Sequence, residues 1–241
     1  MTGRFSGYNS LEQLKAFYPI DKATCEIIPD ANAAPAQEIL AIFRDGGENR
    51  LDKFHWGLVP FWAKDVSIGN RMINARAESV AEKPAFRDAF RNRRCLIPAD
   101  GFYEWKGESG KKKPVLMTLP DRKPFAFAGI WETWQNRNDD SANYRSCAII
   151  TTRASESFRA VHHRMPVILR PRVYETWLDT KIQNPVELVG LLKYEIIKDL
   201  VSIPLSQPGA SFRPDDSAGI EAVNKPQQTE FDWPKDGNRK P

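Results

Sequence analysis

Four short stretches of the chain hold residue types that core packing alone does not require. His55-Trp56-Gly57-Leu58-Val59-Pro60-Phe61-Trp62 gathers two tryptophans around Gly and Pro. Met72-Ile73-Asn74-Ala75-Arg76-Ala77-Glu78 embeds an amide and a guanidinium among small or apolar residues. Gly101-Phe102-Tyr103-Glu104-Trp105 sets one carboxylate inside an aromatic run, and His162-His163-Arg164-Met165-Pro166 leads into Val167-Ile168-Leu169. A carboxylate desolvated by aromatic neighbours is raised toward neutrality and can shuttle protons. Strand alternation turns Glu104 away from Tyr103 and Trp105, so an exposed strand position fits equally well. An extended backbone would point His162 and His163 in opposite directions, leaving at most one for acid–base work, the other reading being a histidine satisfied near Arg164. Asn74, on residue type alone, suits a turn or a strand-end amide. No Walker loop, G-x-G-x-x-G, G-x-S-x-G or H-E-x-x-H occurs, and the adjacent histidines cannot form an i,i+4 metal pair, so no metal is expected.

These stretches need elements to hold them. Ser10 and Gln13 have the spacing of a capping box, with Leu11, Leu14 and Phe17 on one face, which predicts a helix near 10–18. Strand-type runs lie at 25–28, 38–43, 51–58, 93–97, 101–106, 114–118, 125–133, 145–151 and 166–170, with Ala99-Asp100-Gly101 as a turn between two of them. Helices are expected near 85–91 and 154–160, and after Pro171 and Pro185 near 171–178 and 185–199, the last capped by Asn184. Many strands and few βαβ units favour an α+β domain with a mainly antiparallel, barrel-like β core and peripheral helices. Beyond Leu205 the composition turns polar, which predicts one domain over 1–205 and a loosely packed or disordered tail over 206–241.

With 241 residues, 41% hydrophobic and 27% charged, the chain is of ordinary globular composition, which excludes collagen-like or wholly disordered classes. No run reaches the ~20 apolar residues of a spanning helix and no secretory signal opens the chain, so the expected location is cytoplasmic. Cys25, Cys95 and Cys147 are too scattered for a disulfide framework; Cys95 reads as a buried strand thiol. The net charge of +4 admits nucleic acid without requiring it.

In this order the stretches resemble the SOS-response-associated peptidase (SRAP) family, the abasic-site shield proteins. The family's marks are matched at Gly3-Arg4, Asn32-Ala33-Ala34-Pro35, Trp56 to Trp62, Asn74 to Glu78, Gly101 to Trp105 and His162 to Pro166. One mark differs: the family carries a cysteine at position 2, and this chain has Thr2.

The resemblance implies a DNA-damage protein that recognises abasic sites in single-stranded DNA. It would react through the residue-2 amine exposed by autocatalytic loss of Met1, forming a crosslink or an imine. Thr2, Asn74, Glu104 and His162 then form the catalytic set. Asn74 orients the sugar, Glu104 moves protons, and His162 serves ring opening and acid–base transfer. Arg4, Arg76 and Arg164 are expected on phosphates, Trp62 as a base-stacking wedge, and Trp105 in the same DNA-binding set. No cofactor, metal or membrane is implied; a monomer, nucleoid-associated when on DNA, is expected. The alternative is a non-covalent single-stranded-DNA binding module whose crosslinking is lost because Thr2 replaces cysteine.

Overall fold

A computed structural model describes residues 3–7, 9–107, 113–136 and 139–205; Met1, Thr2 and the 206–241 tail lie outside the described residues. Its strands are β1 (Phe5–Gly7), β2 (Lys22–Ala23), β3 (Asp30–Ala33), β4 (Glu38–Asp45), β5 (Glu48–Trp56), β6 (Asn74–Arg76), β7 (Arg94–Ala99), β8 (Gly101–Lys106), β9 (Lys113–Thr118), β10 (Phe125–Asn136), β11 (Asp139–Arg153), β12 (Arg164–Pro166), β13 (Ile168–Leu169) and β14 (Val201–Pro204). The helices are α1 (Leu11–Phe17), α2 (Arg87–Asn92), α3 (Tyr174–Leu178) and α4 (Pro185–Tyr194).

In one sheet the order is β12-β11-β10-β7-β4-β5-β2, and β5 also pairs with β11, Ser146 opposite His55. That last pairing closes β4, β5, β11, β10 and β7 into a five-strand barrel. Alternation then gives each strand an inner and an outer set of side chains. The inner set, including Phe43, Phe54, Trp56, Ile97, Phe127 and Ile149, forms one buried cluster. The outer set, including Ile42, Leu96, Ile130 and Ile150, packs under Leu14 of α1, Phe90 of α2, Trp177 of α3 and Leu188 of α4. A second sheet, β14-β9-β8-β1-β3, adds Phe5, Phe102 and Met117 to the inner cluster.

Local chemistry explains most of these elements. Gln13 N–H donates to Ser10 Oγ (3.3 Å) and the Ser10 N–H donates to Gln13 Oε1 (2.8 Å), the reciprocal cap that starts α1. Asn184 accepts from the Val186 N–H at 3.0 Å and Pro185 sets the first turn of α4. The bend at Asp100 forms, but β7 and β8 are not hairpin partners. The chain crosses there from the barrel to the second sheet, with Asp100 N–H on the Ser6 carbonyl (2.8 Å) and Thr118 Oγ1 on the Asp100 carbonyl (3.0 Å).

Three expectations differ. Residues 25–28 are irregular, and only Lys22–Ala23 adds to β5. Residues 154–160 form turns rather than a helix: Phe158 N–H bonds to Ser155 Oγ (3.3 Å), a side-chain alternative to helical pairing. α4 ends at Tyr194, and the following residues run back along β13, where Ile197 N–H bonds to the Ile168 carbonyl.

Candidate functional site

Glu104 takes its direction from β8. Phe102 lies in the inner cluster, whereas Tyr103 faces the other way, packed with Leu116 and Leu205 and donating its hydroxyl to the Ala31 carbonyl at 2.7 Å. Alternation returns Glu104 to the side of Phe102, and it is only 4% exposed. Of the two readings left by the sequence, the buried one is realised. β1 runs antiparallel beside β8, with Phe5 opposite Phe102, Ser6 opposite Gly101, and the Tyr103 N–H bonded to the Arg4 carbonyl at 2.9 Å. Extended further, that register sets Gly3 opposite Glu104. Arg4 is exposed and, lying across from Tyr103, shares its face; half-buried Trp105 points to that face too, away from Glu104.

Asn74, Arg76, His162 and Arg164 are organised by β11. β6 pairs with it in parallel, Asn74 opposite Ile149 and Arg76 opposite Thr151, and β12 pairs antiparallel, Pro166 opposite Thr151 and Arg164 opposite Arg153. Asn74 is half-buried and Arg76 exposed. His162 and His163 do not splay apart as an extended backbone would demand. They sit in a turn with rings stacked, centroids 4.2 Å apart, His162 half-buried and His163 exposed. Arg164 is 8% exposed, and its guanidinium makes a two-point pair with Glu78 and bonds Thr151. Its fork is spent inside the protein. Burial raises the Glu78 carboxyl, but its hydrogen bonds from Arg164 and nearby backbone outweigh this and hold it below the ordinary carboxylate range.

One aromatic cluster ties these segments together. Phe5 of β1 meets Trp56 edge-on at 5.2 Å, and Trp56 Nε1 donates to the Ile73 carbonyl, next to Asn74, at 2.9 Å. Phe102 of β8 meets Phe158 at 5.8 Å, and the Phe158 carbonyl accepts from the His162 N–H at 3.2 Å. The start of β1 and the segments bearing Asn74, Glu104 and His162 therefore pack on a shared core.

Trp62 stands on a separate, pinned loop. At Gly57, whose φ is +148°, a Cβ would fall 2.6 Å from the Gly69 carbonyl oxygen, so the two backbones meet where only glycine fits. The Leu58 N–H bonds the Met72 carbonyl (3.1 Å), the Val59 N–H bonds Ser146 Oγ (2.8 Å), and Trp134 Nε1 donates to the Ala63 carbonyl (2.8 Å). The loop holds Phe61 58% exposed and Trp62 44% exposed, and Trp62 lines an open depression with Lys64, Asp65, Ser67, Asn70 and Arg71. Phe61, next to Trp62 in the same motif, is exposed as well, which the sequence reading does not single out. Cys95 and Cys147 are buried, and burial pushes both thiols well up, away from nucleophilic use. Among the described residues no group of three or more His, Cys, Asp or Glu could hold a metal, and no helix is long and apolar enough to cross a membrane.

Fold and site define a small β-barrel protein in which the segments bearing a carboxylate, an amide and an imidazole pack on one aromatic core with the start of β1, while a separate loop exposes two aromatic rings. The chain matches the model of the SOS response associated peptidase (SRAP) family over residues 1–208, and it belongs to that family. Abasic site processing protein YoaM of Bacillus subtilis is 45% identical over 195 residues, covering 80% of this chain and 85% of YoaM. Abasic site processing protein YoqW of the same organism is 44% identical over 196 residues, covering 80% and 87%. A crystal structure of a protein from Bacteroides thetaiotaomicron shares the fold with a TM-score of 0.71 at 25% identity, covering 83% of this chain and 91% of that one.

Proposed function

We propose that this protein acts in the DNA-damage response by binding abasic sites in single-stranded DNA and reacting with them through the residue-2 amine. The observation that carries this reading is the β1–β8 register, which extended by two residues sets Gly3, the neighbour of residue 2 in sequence, opposite buried Glu104. The names of its relatives, abasic site processing proteins, agree with it.

Loss of Met1 by hydrolysis exposes an α-amine that titrates near ~7.7–8.0, so part of it is neutral at pH 7. Its nitrogen attacks the aldehyde carbon of the ring-opened sugar, and loss of water leaves an imine. Glu104 shuttles the protons that the adding nitrogen releases and the departing hydroxyl needs. His162 assists ring opening, and Asn74 orients the sugar. The same set serves Met1 removal. Addition of the Thr2 hydroxyl across the imine gives an oxazolidine, more reversible than the ring a thiol would close. Arg4 and Arg76 meet phosphates, and Trp62 with Phe61 stacks on bases. Arg164 serves by position rather than by phosphate contact. The protein works as a cytoplasmic monomer, nucleoid-associated when bound.

Thr2 favours a second reading, a non-covalent single-stranded-DNA binding module. An abasic oligonucleotide, a denaturing gel and borohydride separate the two. Adducts seen only after borohydride reduction mark the imine, and adducts that survive without it mark a stable crosslink. Binding with no adduct in either lane, in protein shown by intact mass to lack Met1, leaves the binding module.

A further inference from the structure

Arg164 is the knot of the His162 segment. Nη1 and Nη2 donate to the two carboxylate oxygens of Glu78 at 3.2 and 2.9 Å. Nη2 also donates to the Thr151 carbonyl at 2.6 Å, and Nε and Nη2 reach Thr151 Oγ1 at 3.3 and 3.2 Å. Thr151 belongs to a long central strand, so this end of the fork is anchored to the barrel wall. A planar guanidinium bound at both edges leaves its own backbone little freedom.

That backbone is what holds the imidazole. The Arg164 N–H donates to His162 Nδ1 at 2.9 Å, and the Arg164 carbonyl lies 3.0 Å from the same nitrogen. The residue thus offers Nδ1 a donor when it carries a lone pair and an acceptor when it carries a proton. Whichever form the ring takes, Nδ1 has a partner, and the ring keeps its place while a proton moves at the other nitrogen. His163, stacked on the ring at 4.2 Å, restricts its tilt.

We infer that Glu78 is a positioning residue for His162: by fixing the Arg164 fork it fixes the Arg164 backbone that clamps Nδ1, so that Nε2 is the nitrogen that exchanges protons with the bound sugar. This rests on the abasic-site reading for its chemistry, but the clamp itself is a property of the protein alone. Glu78 is 40% exposed and its removal opens no buried cavity. The Asn74–Glu78 stretch thereby contributes twice, with Asn74 toward the sugar and Glu78 toward the histidine.

The test compares wild type with Glu78→Ala, Glu78→Gln and Glu78→Asp in the full chain. Without DNA, the nitrogen-15 chemical shifts of the His162 ring report where its proton resides. Glu78→Ala should move the Nδ1 shift toward that of a solvent-exposed imidazole nitrogen as the Arg164 backbone loosens from it, and Glu78→Asp should restore it in part. With an abasic oligonucleotide, the rate of borohydride-trapped adduct should fall by ~10–100-fold, the scale of a ring displaced by about an ångström. Affinity should stay within about two-fold, because docking rests on phosphates and stacking. Unchanged His162 ring shifts in folded Glu78→Ala would overturn the inference, as would equal losses of affinity and rate. If Glu78→Ala does not fold, Glu78→Gln, which keeps one acceptor, carries the same comparison. A wild type that forms no adduct defeats the abasic-site chemistry, while the ring shifts still decide the positioning.

Discussion

Gly57→Ala should destabilise the protein and disarm its aromatic loop at the same time. The added Cβ would lie 2.6 Å from the Gly69 oxygen and 2.9 Å from its carbonyl carbon, both backbone atoms that cannot rotate aside. The φ of +148° adds a second cost, since an L side chain is strained there. Strain of this kind costs ~1–3 kcal/mol, and overpacking against a fixed wall another ~1–3 kcal/mol. A loss of roughly 3 kcal/mol is expected, which for a domain of this size lowers Tm by about 6–12 °C. Relief requires the 57–69 segment to shift, carrying Phe61 and Trp62 with it. Up to the full base-stacking contribution of ~1–3 kcal/mol is then forfeited, a fall of about 5–150-fold in single-stranded-DNA affinity. Thermal melting and fluorescence anisotropy with a labelled oligonucleotide measure the two effects. Trp62→Ala is the control: half-exposed, it should lose affinity with little change in Tm. Gly69→Ala meets the Gly57 oxygen at 2.5 Å but has no positive φ to strain, so it should cost less than Gly57→Ala, about 1–3 kcal/mol, and the double variant should cost less than the sum because both strain one contact. A Gly57→Ala protein that melts within about one degree of wild type refutes the close-approach argument.

Glu104→Gln and His162→Ala should slow adduct formation and Met1 loss by ~100-fold or more while leaving DNA affinity nearly intact; parallel losses in gel and anisotropy assays would make both residues structural. Thr2→Cys, with Met1 shown absent by mass, should turn a borohydride-dependent adduct into one that survives heating without reductant; failure to do so would put the divergence of the site beyond position 2. Burial raises the Asp52 carboxyl, but the Lys53 N–H, Thr24 and Arg145 outweigh it and hold it below its ordinary value. Its contribution is therefore present above the unfolded pKa and lost as pH falls through the folded one. The stability gap between wild type and Asp52→Asn, read from urea melts, should close as pH drops below about 4, and a gap that does not narrow there would contradict the pairing.

The sequence by itself determined the family, the α+β class and the longer strands, because these rest on local signals. The Ser10–Gln13 cap, the Asn184-Pro185 start and the apolar runs of β4, β7 and β10 each state their own conformation. β1, β3, β6 and β14 are three or four residues long, too short for periodicity to speak, and they are strands because of what they lie beside. The same dependence misled at 25–28 and 154–160, where β propensity lacked a partner and Ser155 offered the backbone a turn. At the site, the motifs supplied residue identities but not directions. Which face Glu104 takes depends on where β8 sits against the barrel, and that is fixed by Phe102 burying among Phe125, Phe127 and Phe158. The family resemblance implies a phosphate ligand at Arg164, but a guanidinium fits a carboxylate as well. Only the meeting of β12, β11 and the residues after β6 brings Glu78, 86 positions away in the chain, against it. Side-chain identity is local information, whereas the partner of a buried charge is set by which distant strands share an edge.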